Sequence, residues 1–286
     1  TVDVPPRLVQ RLAGGGSLFV MPAADSQVAI TKLISFVPDN ADRGLPAIQG
    51  DILVFDARDG RRVALLDGPT VTARRTAAVS LLAARRLSAV PNGRLLVVGA
   101  GVQGRAHIEA FHAGLGTEEV WVASRSSASA ESLVEHARRL GLRAHRIDDA
   151  DAAMADCPLI VSATTAQSVA LRSRPRDDAF VSAVGAFTPR MVEWAPEVCR
   201  HLATSGRVVV DTRDADHEAG DLIQAGLDVS RFPALADLVV SGPAGPNRQG
   251  PRGGPIFFKS CGWAGWDLAA ARCAVAAQGE VPERDS

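Results

Sequence analysis

Through its first ninety residues the chain carries β-rich apolar segments broken by turns, followed by one stretch with apolar residues at helical spacing. Ala29 to Val37 and Ile52 to Phe55 are rich in strand formers, and Asp59-Gly60 supplies a hairpin turn before Val63 to Leu66. This pattern predicts an antiparallel unit. Thr72 is placed to cap a helix running to about Ala89, in which Ala78, Leu81, Leu82 and Ala89 recur on one face, and Pro91-Asn92-Gly93 then breaks the chain. From Arg94 the pattern alternates. Strands are expected at 94–99, 120–123, 159–162, 180–184 and 208–211, with helices from Val102 to about Ala113 and from Ala128 to Leu140. Such alternation argues for a parallel, doubly wound sheet. Trp263 to Gln278 reads as one Ala-rich helix, apolar most of the way round, that packs back on the first domain or on a second subunit. The Gly- and Pro-rich run Gly242–Gly254 is the one flexible-looking segment. The expected fold is α/β, a Rossmann-type nucleotide domain (92–260) beside an antiparallel-sheet domain (1–91 with 261–286).

The most specific local signal is Gly99-Ala-Gly-Val-Gln-Gly104, which follows an apolar strand and opens a helix near Val102. In that setting Gly99 permits the tight turn, Gly101 lets backbone approach a pyrophosphate, and Gly104 lets the helix lie close to the strand. The first N–H groups of the helix, at Val102 and Gln103, then face the phosphates with the positive end of the dipole. An NAD-preferring site would place an acidic residue about twenty positions on, at the end of the second strand. Ser124, Arg125 and Ser126 stand there instead, hydroxyls and a guanidinium suited to a 2′-phosphate. NADP(H) is therefore expected as cofactor, and NAD(H) stays usable if Arg125 only stacks on the adenine.

Composition narrows the rest. With 47% hydrophobic and 22% charged residues and a net charge of -1, there is no basic block interleaved with aromatics, so nucleic acid is not an expected partner. No apolar run approaches the ~18 residues of a membrane span, and the first residues lack a charged leader, so a cytoplasmic protein is expected. The chain starts at Thr1 rather than Met, and part of its natural N terminus is expected to precede it. Cys157, Cys199, Cys261 and Cys273 show no Cys-x-x-Cys pairing and read as buried, reduced thiols. His107 and His112 are five apart on a helix, which puts no two ligands on one face, so no metal is expected. Asp148, Asp149 and Asp151 read as a solvated helix start. Asp211 closes an apolar strand at the rim where ligands bind, with a structural role equally open. A small amino or imino acid needs fixed cations for its carboxylate, and Arg7, Lys32, Arg74 and Arg75 are the candidates. Lys32 is distinctive because it interrupts an apolar strand, Ala29-Ile-Thr-Lys-Leu-Ile34, and Arg75 because it precedes the small residues Thr76-Ala-Ala78.

Met21-Pro-Ala, Thr31-Lys32, Leu65-Leu-Asp-Gly68, Thr72-Ala-Arg-Arg-Thr-Ala-Ala78, Gly99-Ala-Gly-Val-Gln103, Glu218-Ala-Gly-Asp221 and Phe258-Lys-Ser260 together resemble the ornithine cyclodeaminase/mu-crystallin family, in order and over nearly the whole chain. The resemblance implies a homodimer whose antiparallel domain and C-terminal helix form the dimer and substrate domain. It implies Lys32 as the active-site lysine, Arg75 as the arginine that holds the substrate carboxylate, and Arg7 as a second substrate arginine. Gln49 falls on the strand facing that pocket, and Thr164, Val184 and Ser260 match nicotinamide- or phosphate-side positions. One departure matters. Cyclodeaminases resemble one another in an acidic residue after a Val-Gly pair, whereas here Val184-Gly-Ala-Phe-Thr-Pro189 puts Phe187 in that place. The loss of a carboxylate that would handle a side-chain amine favours reduction of a cyclic ketimine, Δ1-pyrroline-2-carboxylate or Δ1-piperideine-2-carboxylate, to L-proline or L-pipecolate. The alternatives are an alanine-type amino acid dehydrogenase, an ornithine cyclodeaminase and, in another class, an NADPH-dependent binding protein of mu-crystallin type.

Overall fold

The computed structural model describes residues 2–165, 168–240 and 253–277. Two compact units are formed, residues 1–75 with 263–286 and residues 76–262.

In the first unit, β1 (Leu8–Arg11), β2 (Ser17–Ala24), β3 (Val28–Phe36), β4 (Ile48–Asp56) and β5 (Arg62–Asp67) form a five-stranded antiparallel sheet in chain order. Gly60, at φ +75°, makes the β4–β5 turn as expected. β1 and β2 were not expected, since Leu-Val-Gln-Arg is too short a signal and Pro22 interrupts the second. Along β3 the side chains alternate, so Val28, Ile30, Lys32 and Ile34 are buried while Leu33 is exposed. Register places Lys32 between Met21 of β2 and Ile52 of β4, both buried. The lysine therefore stands in the middle of an apolar face. Helix α1 (Gly68–Leu87) begins one turn earlier than the Thr72 cap predicts. Asp67 does the capping, its Oδ1 accepting the Thr70 N–H at 2.8 Å, while the Thr72 hydroxyl donates to the Gly68 carbonyl. Helix α8 (Ala264–Ala277), from the far end of the chain, covers the sheet. Its Ala264, Leu268, Ala271 and Val275 share one core with Phe19, Met21, Ile30, Ile52 and Val54. Burying each of the larger of these side chains is worth about 1.5–3 kcal/mol. The helix thus packs on the first unit's own sheet, one of the two placements expected. Gln278, the expected helix end, lies outside the described residues.

The described elements of the second unit are, in chain order, β6 (Leu95–Val98), α2 (Val102–Leu115), β7 (Glu119–Ala123), α3 (Ser127–Arg139), β8 (Arg143–Arg146), α4 (Ala150–Ala153), β9 (Leu159–Ser162), β10 (Phe180–Ala183), α5 (Pro196–Ser205), β11 (Arg207–Val210), α6 (Gly220–Gln224), α7 (Leu235–Val240) and β12 (Ile256–Lys259). Its described strands form one seven-stranded sheet, all parallel, in the spatial order β11-β12-β10-β9-β6-β7-β8. The five expected strands are present. β8 escaped the sequence reading because Arg-Ala-His-Arg is a polar edge strand, and β12 because a single Phe-Phe pair beside a Gly- and Pro-rich run gives little period. Of the run Gly242–Gly254, only Gly253 and Gly254 fall within the described residues. The compact units divide inside α1 rather than at Pro91, because the second half of that helix packs on α2: Leu81 fills the space beside Gly114, and Arg85 donates to the Gly114 carbonyl. Cys157, Cys199 and Cys261 are buried thiols as expected, whereas Cys273 sits on the outer side of α8 and is exposed. No described helix is long and apolar enough to cross a membrane.

Candidate active site

Three charged side chains of the first unit converge. The Lys32 ammonium donates to Asp267 Oδ1 at 3.1 Å, and Arg75 Nε donates to the same oxygen at 3.0 Å. Lys32 is 1% and Asp267 0% exposed, so the group is withdrawn from solvent. Burial pulls the Lys32 pKa down to about 8, with the Arg75 charge, and that of Arg7, adding to the shift against the pull of Asp267. At neutral pH the lysine is charged yet close to releasing its proton. Arg7 also lies over the Phe19 ring, 5.3 Å from its centroid. With Lys32 protonated, two cations share one carboxylate oxygen, an arrangement that suits an anionic ligand. Buried Arg75 Nη1 and Asp267 Oδ2 have no protein hydrogen-bond partner. Buried polar atoms are rarely left so in a closed structural ion pair.

Gln49 is not part of this group. It is exposed, pairs with Ser35 three positions from Lys32, and donates to the Pro46 carbonyl at 3.4 Å. Arg74, the residue before Arg75, is also exposed.

The second unit carries the glycine turn. Gly99 adopts φ +112°, and a Cβ there would stand 2.5 Å from the Ala163 carbonyl oxygen, so only glycine serves. A Cβ on Gly104 would lie 2.3 Å from the Gly99 carbonyl, which keeps α2 close to β6. Around Gly101 there is open space instead, with no heavy atom within 4 Å of a Cβ, and no side chain caps the start of α2. The start of α2 beside Gly101 therefore offers room for a phosphate, and the glycine turn fits a dinucleotide. After β7, Ser124 is half-buried and Arg125 and Ser126 are exposed. Ser126 caps α3 by accepting from the Ser129 N–H and hydroxyl, which leaves its own proton to donate.

The loops after β9 and β10 are tied together from beneath by Glu193, a residue the sequence reading did not single out. Its Oε1 accepts the N–H and hydroxyl of Thr164, and its Oε2 accepts the Ser162 hydroxyl and the Gly185 N–H. Burial, with Asp221 close by, pushes its pKa up. Asp221 in turn accepts the N–H groups of Glu193 and Trp194 on one oxygen and the Lys259 ammonium at 2.7 Å on the other. Val184 is buried, its N–H on the Ser162 carbonyl. The Ser260 hydroxyl donates to Asp211 Oδ2, which also accepts from the backbone of Cys261 and Gly262. Asp211 therefore shapes the turn after β12. His107 is a core residue: burial lowers its pKa to about 4, and its two ring nitrogens meet the Gln103 carbonyl and the Ser80 hydroxyl. Asp149 caps α4 and Asp151 accepts two backbone N–H groups, the structural role expected of that acidic run. No group of three or more His, Cys, Asp or Glu among the described residues could hold a metal ion.

Of the residues missed, Asp267 was the least legible, an acid in an Ala-rich helix 192 positions after Arg75. Glu218-Ala-Gly-Asp221 and Phe258-Lys-Ser260 were visible as motifs, but their joint role needed the topology that sets β12 beside β10.

The sequence matches the description "Ornithine cyclodeaminase/mu-crystallin family" over residues 1–277. It is 40% identical to Delta(1)-pyrroline-2-carboxylate reductase 1 of Burkholderia multivorans, across 94% of this chain and 83% of that one. Identity to the ketimine reductase mu-crystallin of Mus musculus is 31%, across 90% of this chain and 79% of that one. Among solved structures, the Delta(1)-pyrroline-2-carboxylate reductase of Thermococcus litoralis, in complex with NADH and L-proline, superposes with a TM-score of 0.87 at 25% identity, covering 99% of this chain and 90% of that one. Both compact units and the motifs within them thus place the chain in the ornithine cyclodeaminase/mu-crystallin family.

Proposed function

We propose that this chain is an NAD(P)H-dependent reductase of small cyclic α-imino acids, converting Δ1-pyrroline-2-carboxylate or Δ1-piperideine-2-carboxylate to L-proline or L-pipecolate. The observation that carries the reading is the buried cationic group, in which Arg75 keeps a guanidinium nitrogen without a protein partner and burial pulls the Lys32 pKa down to about 8. The names of the relatives at 40% and 31% identity support it.

Arg75 binds the substrate carboxylate through that spare nitrogen, and the Arg7 charge assists. Fixing the carboxylate orients the planar ring and its C=N carbon. Lys32 keeps the ring nitrogen protonated, directly or through a water, because an ammonium with a pKa of about 8 gives up its proton more readily than a free lysine. The protonated imine is the stronger hydride acceptor. When bound, the reduced nicotinamide supplies the hydride that makes the C–H bond. The residues to hold it are Gly99, Gly101, Val102, Gln103 and Gly104 at the pyrophosphate, with Thr164, Val184 and Ser260 on the nicotinamide side. Ser124, Arg125 and Ser126 favour the 2′-phosphate of NADPH over NADH. Phe187, half-buried against the second unit's core, offers no carboxylate for an amine and so argues against cyclodeamination. Leu8, Val9 and Leu65 are exposed apolar residues of the first unit's sheet, which suits a homodimer joined there. A reductase fed by the cell's pool of reduced nicotinamide belongs in the cytoplasm.

The test is oxidation of NADPH and of NADH with each cyclic imine, beside pyruvate plus ammonia and an ornithine control assayed for proline. Rapid oxidation with an imine is expected. Turnover confined to pyruvate would contradict the reading in favour of an amino acid dehydrogenase, and tight NADPH binding with no turnover would favour a binding protein.

A further inference from the structure

Lys32 and Arg75 meet at one carboxylate oxygen, without which their like charges would repel each other. That oxygen comes from the first turn of α8, where the helix dipole favours an anionic carboxylate. The helix start is fixed from both sides. Trp263 and Trp266 pack edge to face at 5.5 Å, the Trp266 N–H donates to the Trp263 carbonyl, and a Cβ on Gly265 would lie 2.2 Å from the Trp263 ring. Further along, Leu268, Ala271 and Val275 lie in the core, and Arg272 is tied to Asp25 and Gln27. Asp267 is thus positioned by packing and not by substrate. Its oxygens are used unequally, Oδ1 by both cations and Oδ2 by no protein group.

We propose that Asp267 is the positioning residue of the cationic group. Its Oδ1 holds Lys32 Nζ and Arg75 Nε side by side, keeps Lys32 charged at neutral pH, and turns Arg75 so that Nη1 stays available to a carboxylate. The charged groups whose fields bear on Lys32 are Arg75 and Arg7, which disfavour its proton, and Asp267, which favours it. Removing the Asp267 charge leaves burial and two cations acting in one direction. The consequences for turnover rest on the reductase reading; the titration of Lys32 does not.

The chain has two lysines, Lys32 and Lys259, so lysine labelled with 13C at Cε gives two signals. In Asp267→Asn the midpoint of the Lys32 signal is expected to fall by more than about one pH unit, with the Lys259 signal unmoved as internal control. In the imine assay at pH 8, kcat/KM should fall about ten-fold or more, its basic limb should move to lower pH, and KM should rise as Arg75 loses its anchor. Asp267→Glu should restore the midpoint in part. A merely structural role would lower the melting temperature and leave both the Lys32 midpoint and the basic limb in place, which would overturn the proposal. If Asp267→Asn does not fold, Asp267→Ser, which also removes the charge, is titrated in its place, and an unchanged Lys32 midpoint there would overturn the proposal. If the wild-type protein reduces no imine, the reductase reading fails while the Lys32 midpoint still tests Asp267.

Discussion

The two lysines of this chain share a setting and differ in fate. Each belongs to an apolar strand, Lys32 within β3 and Lys259 at the end of β12, each is at most 1% exposed, and each donates to an aspartate near 3 Å. Yet Lys32 is shifted down to about 8, while Lys259 is shifted up from its ordinary value. Burial acts on both and disfavours the charge on both. The neighbours decide the sign: Asp221 and Glu193 surround Lys259 with negative charge, whereas Lys32 shares its one carboxylate with Arg75 and feels Arg7 as well. One unit therefore holds a closed ion cluster that fastens loops, and the other an open cluster with cation to spare. Burial of a lysine does not separate the two clusters; the like charge beside Lys32 does, and it makes that cluster the candidate site.

Substituting each lysine cluster in turn should break the symmetry. Lys32→Met is expected to lower imine turnover about 10²–10⁴-fold while cofactor affinity is kept, measured by NADPH oxidation and NADPH binding. Undiminished turnover would remove the lysine from the mechanism. Asp221→Ala should act on folding instead, costing about 3–5 kcal/mol in urea unfolding, because it strands the Lys259 ammonium in the core. A loss below about 1 kcal/mol would mean that Lys259 finds solvent or another partner. Arg75→Ala should mainly raise KM for the imine, by the ~1.5–3 kcal/mol of a charge-assisted hydrogen bond. An unaltered KM would remove the carboxylate clamp.

Two smaller effects sharpen the picture. Arg125→Asp should move the NADPH to NADH preference toward NADH by about ten-fold, or ~1.4 kcal/mol, and a constant ratio would refute the phosphate role. The depressed Lys32 pKa also predicts a pH signature. Between about 8 and the ordinary lysine value of 10.5 the unfolded chain binds more protons at this site than the folded one, so this contribution to stability is present above that window and lost as pH falls through it. Wild-type stability should therefore rise with pH relative to Lys32→Met by up to ~1.4 kcal/mol per pH unit, and parallel curves would contradict the shift.

How much was readable in advance follows the same division. The glycine turn, the central strands and the two cations were legible because period, spacing and a charge inside an apolar run are local properties. Asp267 and Glu193 were not, since each acts on groups brought near by topology rather than by sequence distance. Edge strands such as β8 were illegible because one wet face erases the apolar run. Ser126 was expected to face a 2′-phosphate and caps α3, a use that the Ser124-Arg-Ser126 pattern did not reveal. Phe187 was visible only by comparison with a family pattern, as a carboxylate that is missing.

The contrast between the two lysines is tested most directly by following both 13Cε signals of the lysine-labelled wild-type protein from pH 6 to 10. The account predicts that one signal, absent in Lys32→Met, titrates with a midpoint near 8 while the other stays at its ammonium position throughout. Two signals that titrate together, or a Lys32 signal still fully ammonium at pH 10, would contradict it.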